Sequence, residues 1–371
     1  MIMSDNDEVE PLFTYEEFRN KTKTTIFKWR CKKCGTVFDS PVNFPYARGE
    51  VNELVGTYAR CLNCYPLESG SQQQMEVKKF IASLIDESKI LYNDRKAIGP
   101  KEIDIFIPSM KIGFEYDGLY WHSALAGTHP SMAKEKTDMC NAVGIQLFRI
   151  YEDDWVNKCD IVKSDIKKVM NCCDRAISQN DCYAQRCSYD VAREFHMSNS
   201  LEHLNKSSSI NICLKCYRTD EIVAIMSGNV HDDVLVMSNY STLLNTYVKP
   251  EAFRVILDML HDVCVSKNIK IVRSKISRDW NDSTFLTHSG FRLSKTTDFN
   301  NIIIDTMNWK RLDMNVSKNK IVECFGIDVD ESKTLVENLH RNHMSMIYDA
   351  GNAIYELETS QMRNPQEQIA S

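Results

Sequence analysis

Glu102-Ile103-Asp104-Ile105-Phe106-Ile107 and, five residues on, Gly113-Phe114-Glu115-Tyr116-Asp117 carry acids in the middle of apolar runs. Alternation in an extended chain puts Glu102, Asp104 and Phe106 on one face of the first run and the three isoleucines on the other. In the second run Gly113, Glu115 and Asp117 share a face, opposite Ile112, Phe114 and Tyr116. An aspartate at the centre of an apolar strand is costly unless something pairs with it. Pro108-Ser109-Met110 is short enough to join the runs as a hairpin, so three acids are expected to converge on one surface. Carboxylate oxygens are the ligands magnesium prefers, and a bound divalent ion can activate water and stabilise charge developing on a phosphate. Gly113 is expected to leave space for a nucleic-acid backbone.

His122 follows the second run within Gly118-Leu119-Tyr120-Trp121-His122, five residues beyond Asp117. An imidazole there is suited either to activating a water or to protonating a leaving oxygen; the alternative is a structural histidine. Lys136 can hold a phosphate oxygen or be an ordinary surface lysine, and Glu76 can add another acid from a preceding helix. That helix is read from Met75, Val77, Phe80, Ile81, Leu84 and Ile85, which recur at helical spacing. A third apolar run, Ile145 to Ile150, follows a helical stretch that stops at Gly144. The order is helix, strand, strand, helix, strand.

Upstream, Cys31-Lys-Lys-Cys34 and Cys61-Leu-Asn-Cys64 form two CxxC knuckles. Each delivers two thiolates from one tight loop, and together they complete the tetrahedral four-sulfur set of a structural zinc. Such a closed site leaves no open coordination position for catalysis. The pair Cys213 and Cys216 stands alone in an apolar run and is expected to pack in a core. The chain has 371 residues, 43% of them hydrophobic, so two or three units with sizeable cores are expected. No signal peptide and no run of membrane-spanning length is visible, which points to a soluble protein in the cytoplasm. The net charge of -6 weighs against nucleic-acid binding overall. Locally the balance reverses: residues 19 to 60 hold nine lysines and arginines against Asp39, Glu50 and Glu53, a surface fit for phosphates or simply a solvated basic face.

Four segments in this order, RCKKCG with RCLNCYP, DRKAIGPKEIDIFIP, KIGFEYDGLYWHS and KTDMCNAVGIQLFRIYEDDW, resemble phage-type homing endonucleases related to the very-short-patch-repair nucleases of the PD-(D/E)XK superfamily. The resemblance implies an α/β (α+β) chain. Its parts would be a polar leader (1–20), a zinc-binding domain (21–66), a PD-(D/E)XK restriction-endonuclease-like core (67–175), a GNAT-like domain (181–310) and a C-terminal extension (311–371). It further implies magnesium-dependent hydrolysis of double-stranded DNA, with Asp104 and Glu115 as magnesium ligands, Asp117 and His122 as further active-site residues, and Glu76 and Glu102 in support. Asp117 stands where the superfamily often has lysine, so transition-state charge falls to the metal, His122 or Lys136. Alternatives within the resemblance are a mismatch-nicking enzyme and an inactive zinc-stabilised DNA-binding protein. The GNAT-like part, best matched in SRDWNDSTFLTHSGFRL, lacks the glycine-rich turn that holds a cofactor pyrophosphate: the expected place reads NTYVKPEAFRVIL. A DNA-positioning or protein-contact role is therefore expected there, with acyl transfer as the rival; Arg278, Asp279 and Trp280 offer nucleic-acid contacts, with a buried core tryptophan as the favoured alternative.

Overall fold

The computed structural model describes residues 9–19, 21, 25–41, 72–119, 122–202, 207–280, 282–312 and 329–362. The chain divides into two compact units, Met1–Met75 and Glu76–Ser371.

In the first unit, β1 (Val9–Pro11), β2 (Ile26–Cys31) and β3 (Val37–Pro41) form an antiparallel sheet, with helix α1 (Tyr15–Arg19) between the first two strands. Its core is aromatic: Phe13 stacks on Phe27 at 4.1 Å between ring centroids and meets the edge of buried Trp29. Cys31 is buried at the end of β2 and Cys34 lies exposed in the turn after it. Cys61 and Cys64 lie outside the described residues, as does the whole segment from 42 to 71.

The division at Glu76 falls within α2 (Gln72–Leu84), and the second unit continues into a four-stranded sheet. Its strands β4 (Leu91–Asp94), β5 (Ile103–Ile107), β6 (Ile112–Asp117) and β7 (Gln146–Tyr151) lie in chain order, with α3 (Met132–Ala142) crossing over between the parallel pair β6 and β7. One face packs Ile105, Ile107, Phe114 and Phe148 against α2 and two helices that follow, α4 (Glu152–Asn157) and α5 (Cys159–Val169). The other face packs Phe106, Cys140 and Leu147 beneath α3. Ile103 belongs to this second cluster and not with Ile105 and Ile107. Alternation therefore fails at Asp104, where the two strands trade side-chain hydrogen bonds for part of the ladder. Gly113 offers no room to a ligand, because a Cβ there would lie 3.0 Å from both Ile103 Cγ2 and Leu147 Cδ1.

After β8 (Arg175–Ile177), strands β9 (Cys182–Arg186), β10 (Ile210–Cys216), β11 (Ile222–His231) and β12 (Val234–Thr242) make an antiparallel meander. Helix α6 (Tyr189–Asn199) covers one face through Ala192, Cys213 and Ile225. β13 (Thr246–Val248) pairs with β8 and leads to α7 (Phe253–Ser266), which buries Phe253, Ile256 and Leu260 on the opposite face. The chain returns as β14 (Ile271–Ser277), parallel to β12. Cys213 and Cys216 are both buried in β10.

Beyond α8 (Thr284–His288) and β15 (Arg292–Thr296), a small antiparallel sheet of β16 (Asn301–Asp305), β17 (Lys310–Leu312) and β18 (Met344–Tyr348) forms, with α9 (Leu335–Arg341) against it. Finally β19 (Asn352–Glu358) enters the large sheet between β14 and β15, giving the order β15-β19-β14-β12-β11-β10-β9. The protein is thus mixed α/β. Among the described residues no helix is long and apolar enough to cross a membrane.

Candidate functional site

The acids expected on one surface do meet, but each is already engaged. Asp104 and Glu115 face each other across β5 and β6: the Asp104 backbone N–H donates to Glu115 Oε1 at 3.1 Å, and the Tyr116 N–H donates to Asp104 Oδ2 at 2.9 Å. Lys136, reaching down from α3 with its side chain 13% exposed, forms an ion pair with Glu115. Burial, and then the neighbouring Asp104 charge, push Glu115 up to about 7 against the pull of Lys136 and Arg149. Asp117 is 1% exposed. Burial alone would raise its pKa, yet the Arg149 guanidinium and His122 hold it well below the usual carboxylate range. Arg149 donates from Nε at 2.8 Å and from its terminal nitrogen at 2.9 Å, a two-pronged pair, while His122 Nδ1 stands 2.9 Å away. Burial lowers the His122 pKa and Asp117 more than reverses that, so the imidazole is raised overall.

Glu76 and Glu102 do not join this group. The first accepts from Trp155 Nε1 at 3.1 Å, and the second pairs with Arg95 at 2.9 Å. Among the described residues no three His, Cys, Asp or Glu side chains are placed to hold one metal ion. The space beside Glu115, Asp117 and His122 is a cavity of only about 50 Å³, closed by Ile347 and Tyr348 of β18. Arg278 and Asp279 are likewise buried, Arg278 on Asp138 and the Ala350 carbonyl, and Trp280 leans on Phe148 at 5.5 Å between centroids.

The larger opening lies in the seven-stranded sheet. β12 and β14 run parallel only from Val234 and Ile271 to Met237 and Ser274. The pairing of β12 with β11 shows why they part: Gly228 faces Met237 and Ser227 faces Asn239, so Ser238 is an extra residue, a β-bulge. A bulge bends its own strand away from the neighbour it would otherwise continue beside. Gly228 permits it, since a Cβ at that position would lie 2.7 Å from the Val236 carbonyl oxygen. After the extra residue the faces of β12 exchange, with Leu235, Met237 and Tyr240 on the α7 side and Ser241 on the α6 side. Into the resulting fork opens a cavity of about 500 Å³, lined by Ser238 to Thr242, Ser274 to Ser277, the end of α6, α5 and Phe285. Its carboxylates include Asp165, Asp279, Asp282 and Asp349, and its cations Lys168, Lys275 and Arg311. Burial, then the charge of Asp349, raise Asp279 to about 6. The sequence did carry a trace of this site. Asn211, Ser227, Asn239 and Ser241 are polar residues inside strands, and all four are buried.

No family model matches the chain, and no curated protein matches it. It is similar to solved structures over about half its length. The ribosomal-protein-S18-alanine N-acetyltransferase of Escherichia coli is 9% identical, at a TM-score of 0.28, covering 48% of this chain and 94% of that one. Ard1 of Thermoplasma volcanium is 9% identical with a TM-score of 0.26, covering 48% and 97%. A GNAT family acetyltransferase of Elizabethkingia anophelis with acetyl-CoA bound is 10% identical with a TM-score of 0.26, covering 48% and 99%. These findings overturn the homing-endonuclease reading. The solved structures named are titled as acetyltransferases and none as a nuclease. The assignment to that family and the endonuclease activity fall together, and what stands of the fold is a mixed α/β chain.

Proposed function

We propose that residues 182–362 form a GNAT-like module whose fork takes an extended, amide-bearing acyl carrier of the pantetheine type, and that its chemistry is acyl transfer. The observation that carries this reading is the bulge-driven parting of β12 from β14, with a cavity of about 500 Å³ between them. Two strand edges that no longer pair with each other present amide groups at regular spacing. A flexible arm bearing its own amides can lie between them as an added strand would. The fork is also where ligands of parallel sheets are expected, at the carboxyl ends of the strands. Asp165, Asp279, Asp282 and Asp349 in the lining favour a cationic amine as the acceptor.

The stretch leading into α7, without a glycine turn, gives a nucleotide pyrophosphate no cradle of backbone amides. Affinity therefore resides in the arm. Calorimetry should find saturable binding of S-acetylpantetheine with a Kd within about tenfold of that for acetyl-coenzyme A, and Ser277→Trp at the open end of the fork should abolish both. Absence of saturable binding at millimolar ligand would overturn the reading.

A second reading rests on the facing carboxylates. We also propose that Asp104 and Glu115 hold a divalent cation, magnesium by its preference for oxygen, with water completing the shell. Two carboxylates suffice for an ion that keeps most of its water, and the ion would offset the mutual repulsion that raises Glu115. A magnesium-induced rise in melting temperature that Asp104→Asn removes would support it; an equal rise in both proteins would count against it.

A further inference from the structure

Behind the fork, on the α6 side, lies a buried polar chain that acyl-carrier binding does not require. His196 is 1% exposed, and its Nδ1 and Nε2 stand 2.7 Å from Ser241 Oγ and 2.8 Å from Ser227 Oγ. Ser227 Oγ in turn donates to Asn211 Oδ1 at 2.7 Å, and Ser208 Oγ donates to the same oxygen at 2.6 Å. The direction of the chain follows from its far end. Asn211 donates from Nδ2 to the Ser208 carbonyl, which fixes its Oδ1 as the acceptor. The Ser227 proton is then committed to Asn211, so Ser227 can only accept from His196 Nε2–H. That leaves Nδ1 as a lone-pair acceptor aimed at the Ser241 hydroxyl.

Ser241 is the member of this chain that lines the 500 Å³ cavity. Lys168 lines it too. Its ammonium lies 3.2 Å from the carbonyl oxygen of Thr242, the next residue, and 3.0 Å from Asp165. A hydroxyl with an oriented imidazole behind it is the arrangement that makes a serine nucleophilic: the base takes the proton and a third group fixes the base.

We propose that Ser241, with its proton accepted by His196, is a nucleophile that takes an acyl group from the carrier held in the fork. This rests on the fork being an acyl-carrier site. Ser241 Oγ bonds to the thioester carbonyl carbon and the C–S bond breaks. The Oγ proton passes to His196 Nδ1 and from there to the departing thiolate, so the products are an ester on Ser241 and a free thiol. Burial brings the imidazole down to about 4, which keeps it neutral at pH 7 and ready to pass the proton on.

The test is covalent labelling of the full chain with an alkyl fluorophosphonate, read by intact mass and peptide mapping. One phosphonyl group is expected on Ser241, with none in Ser241→Ala and a rate at least about a hundredfold lower in His196→Gln, the usual contribution of a general base. Should His196→Gln fail to fold, as judged by circular dichroism, Ser227→Ala carries the same test, since it removes only the hydroxyl that orients the imidazole. No label in the wild type, or labelling at an unchanged rate in the histidine or Ser227 variant, overturns the proposal. Binding of S-acetylpantetheine to Ser241→Ala keeps the two readings apart. If it binds while the wild type takes no label, the fork stands and the nucleophile falls. If the wild type labels and nothing binds, the acyl-carrier reading falls.

Discussion

Acidification from pH 7.5 to 4 protonates every histidine of the unfolded chain, whereas His196 in the folded protein stays largely neutral until the pH reaches about 4. The cause is burial between two serines, with no carboxylate to welcome the charge. Because the folded pKa lies below the unfolded value of 6.5, the unfolded state binds the extra proton first. The stability this residue contributes is complete above pH 6.5, falls as the pH drops toward 4, and levels off below. A gap of about 2.5 units at 1.36 kcal/mol each amounts to about 3 kcal/mol. Urea unfolding of the wild type and His196→Gln at pH 7.5, 6, 5 and 4, followed by circular dichroism, isolates that part, since other titrating groups act on both proteins alike. The wild type's advantage should shrink by about 3 kcal/mol across the series. Equal pH dependence in the two proteins would refute the reasoning, for it would mean that the imidazole titrates in the fold as it does in the open chain.

Gly228→Ala pushes a methyl group against the Val236 carbonyl oxygen, backbone that cannot rotate away, so a loss of about 1–3 kcal/mol is expected in urea melts, with weakened S-acetylpantetheine binding as the bulge shifts. Arg149→Met strands a buried carboxylate, and chemical denaturation should register a loss of about 3–5 kcal/mol, much of it recovered when Asp117→Asn is added. If the four cysteines of the first unit act together, atomic emission should find one zinc per chain, lost in Cys61→Ser. The basic segment between residues 19 and 60, proposed to contact double-stranded DNA, should give a gel shift that weakens steeply with salt.

Local patterns were readable in the sequence. The apolar runs around Asp104, Glu115 and Phe148 are strands, and the periodic stretch around Ile81 is a helix, because period and composition are properties of contiguous residues. The meeting of Asp104 with Glu115 was visible in the short hairpin that joins their strands, although alternation itself breaks at Asp104. What they pair with was not. Arg149 lies 32 residues from Asp117, in a strand whose apolar pattern says nothing of a cation turned toward the acid. Unpaired acids suggest a metal, whereas paired ones suggest structure, and that difference is invisible until the partner is located. The fork was hidden for a related reason. A bulge is one residue more than the neighbouring strand requires, so it exists only in the register of two strands together. Residues 344 to 358 read as a tail but supply β18 and β19.

The position of β19 has a consequence for how the molecule is made. A strand drawn from residues 352–358 fills the gap between β14 and β15. Until residues 352–358 have left the ribosome, some 75 residues after β14 itself, β14 presents an unpaired edge, open to any other extended segment that comes near. A nascent chain of this protein therefore passes a long interval of synthesis vulnerable to association, and truncation ahead of Asn352 would make that state permanent.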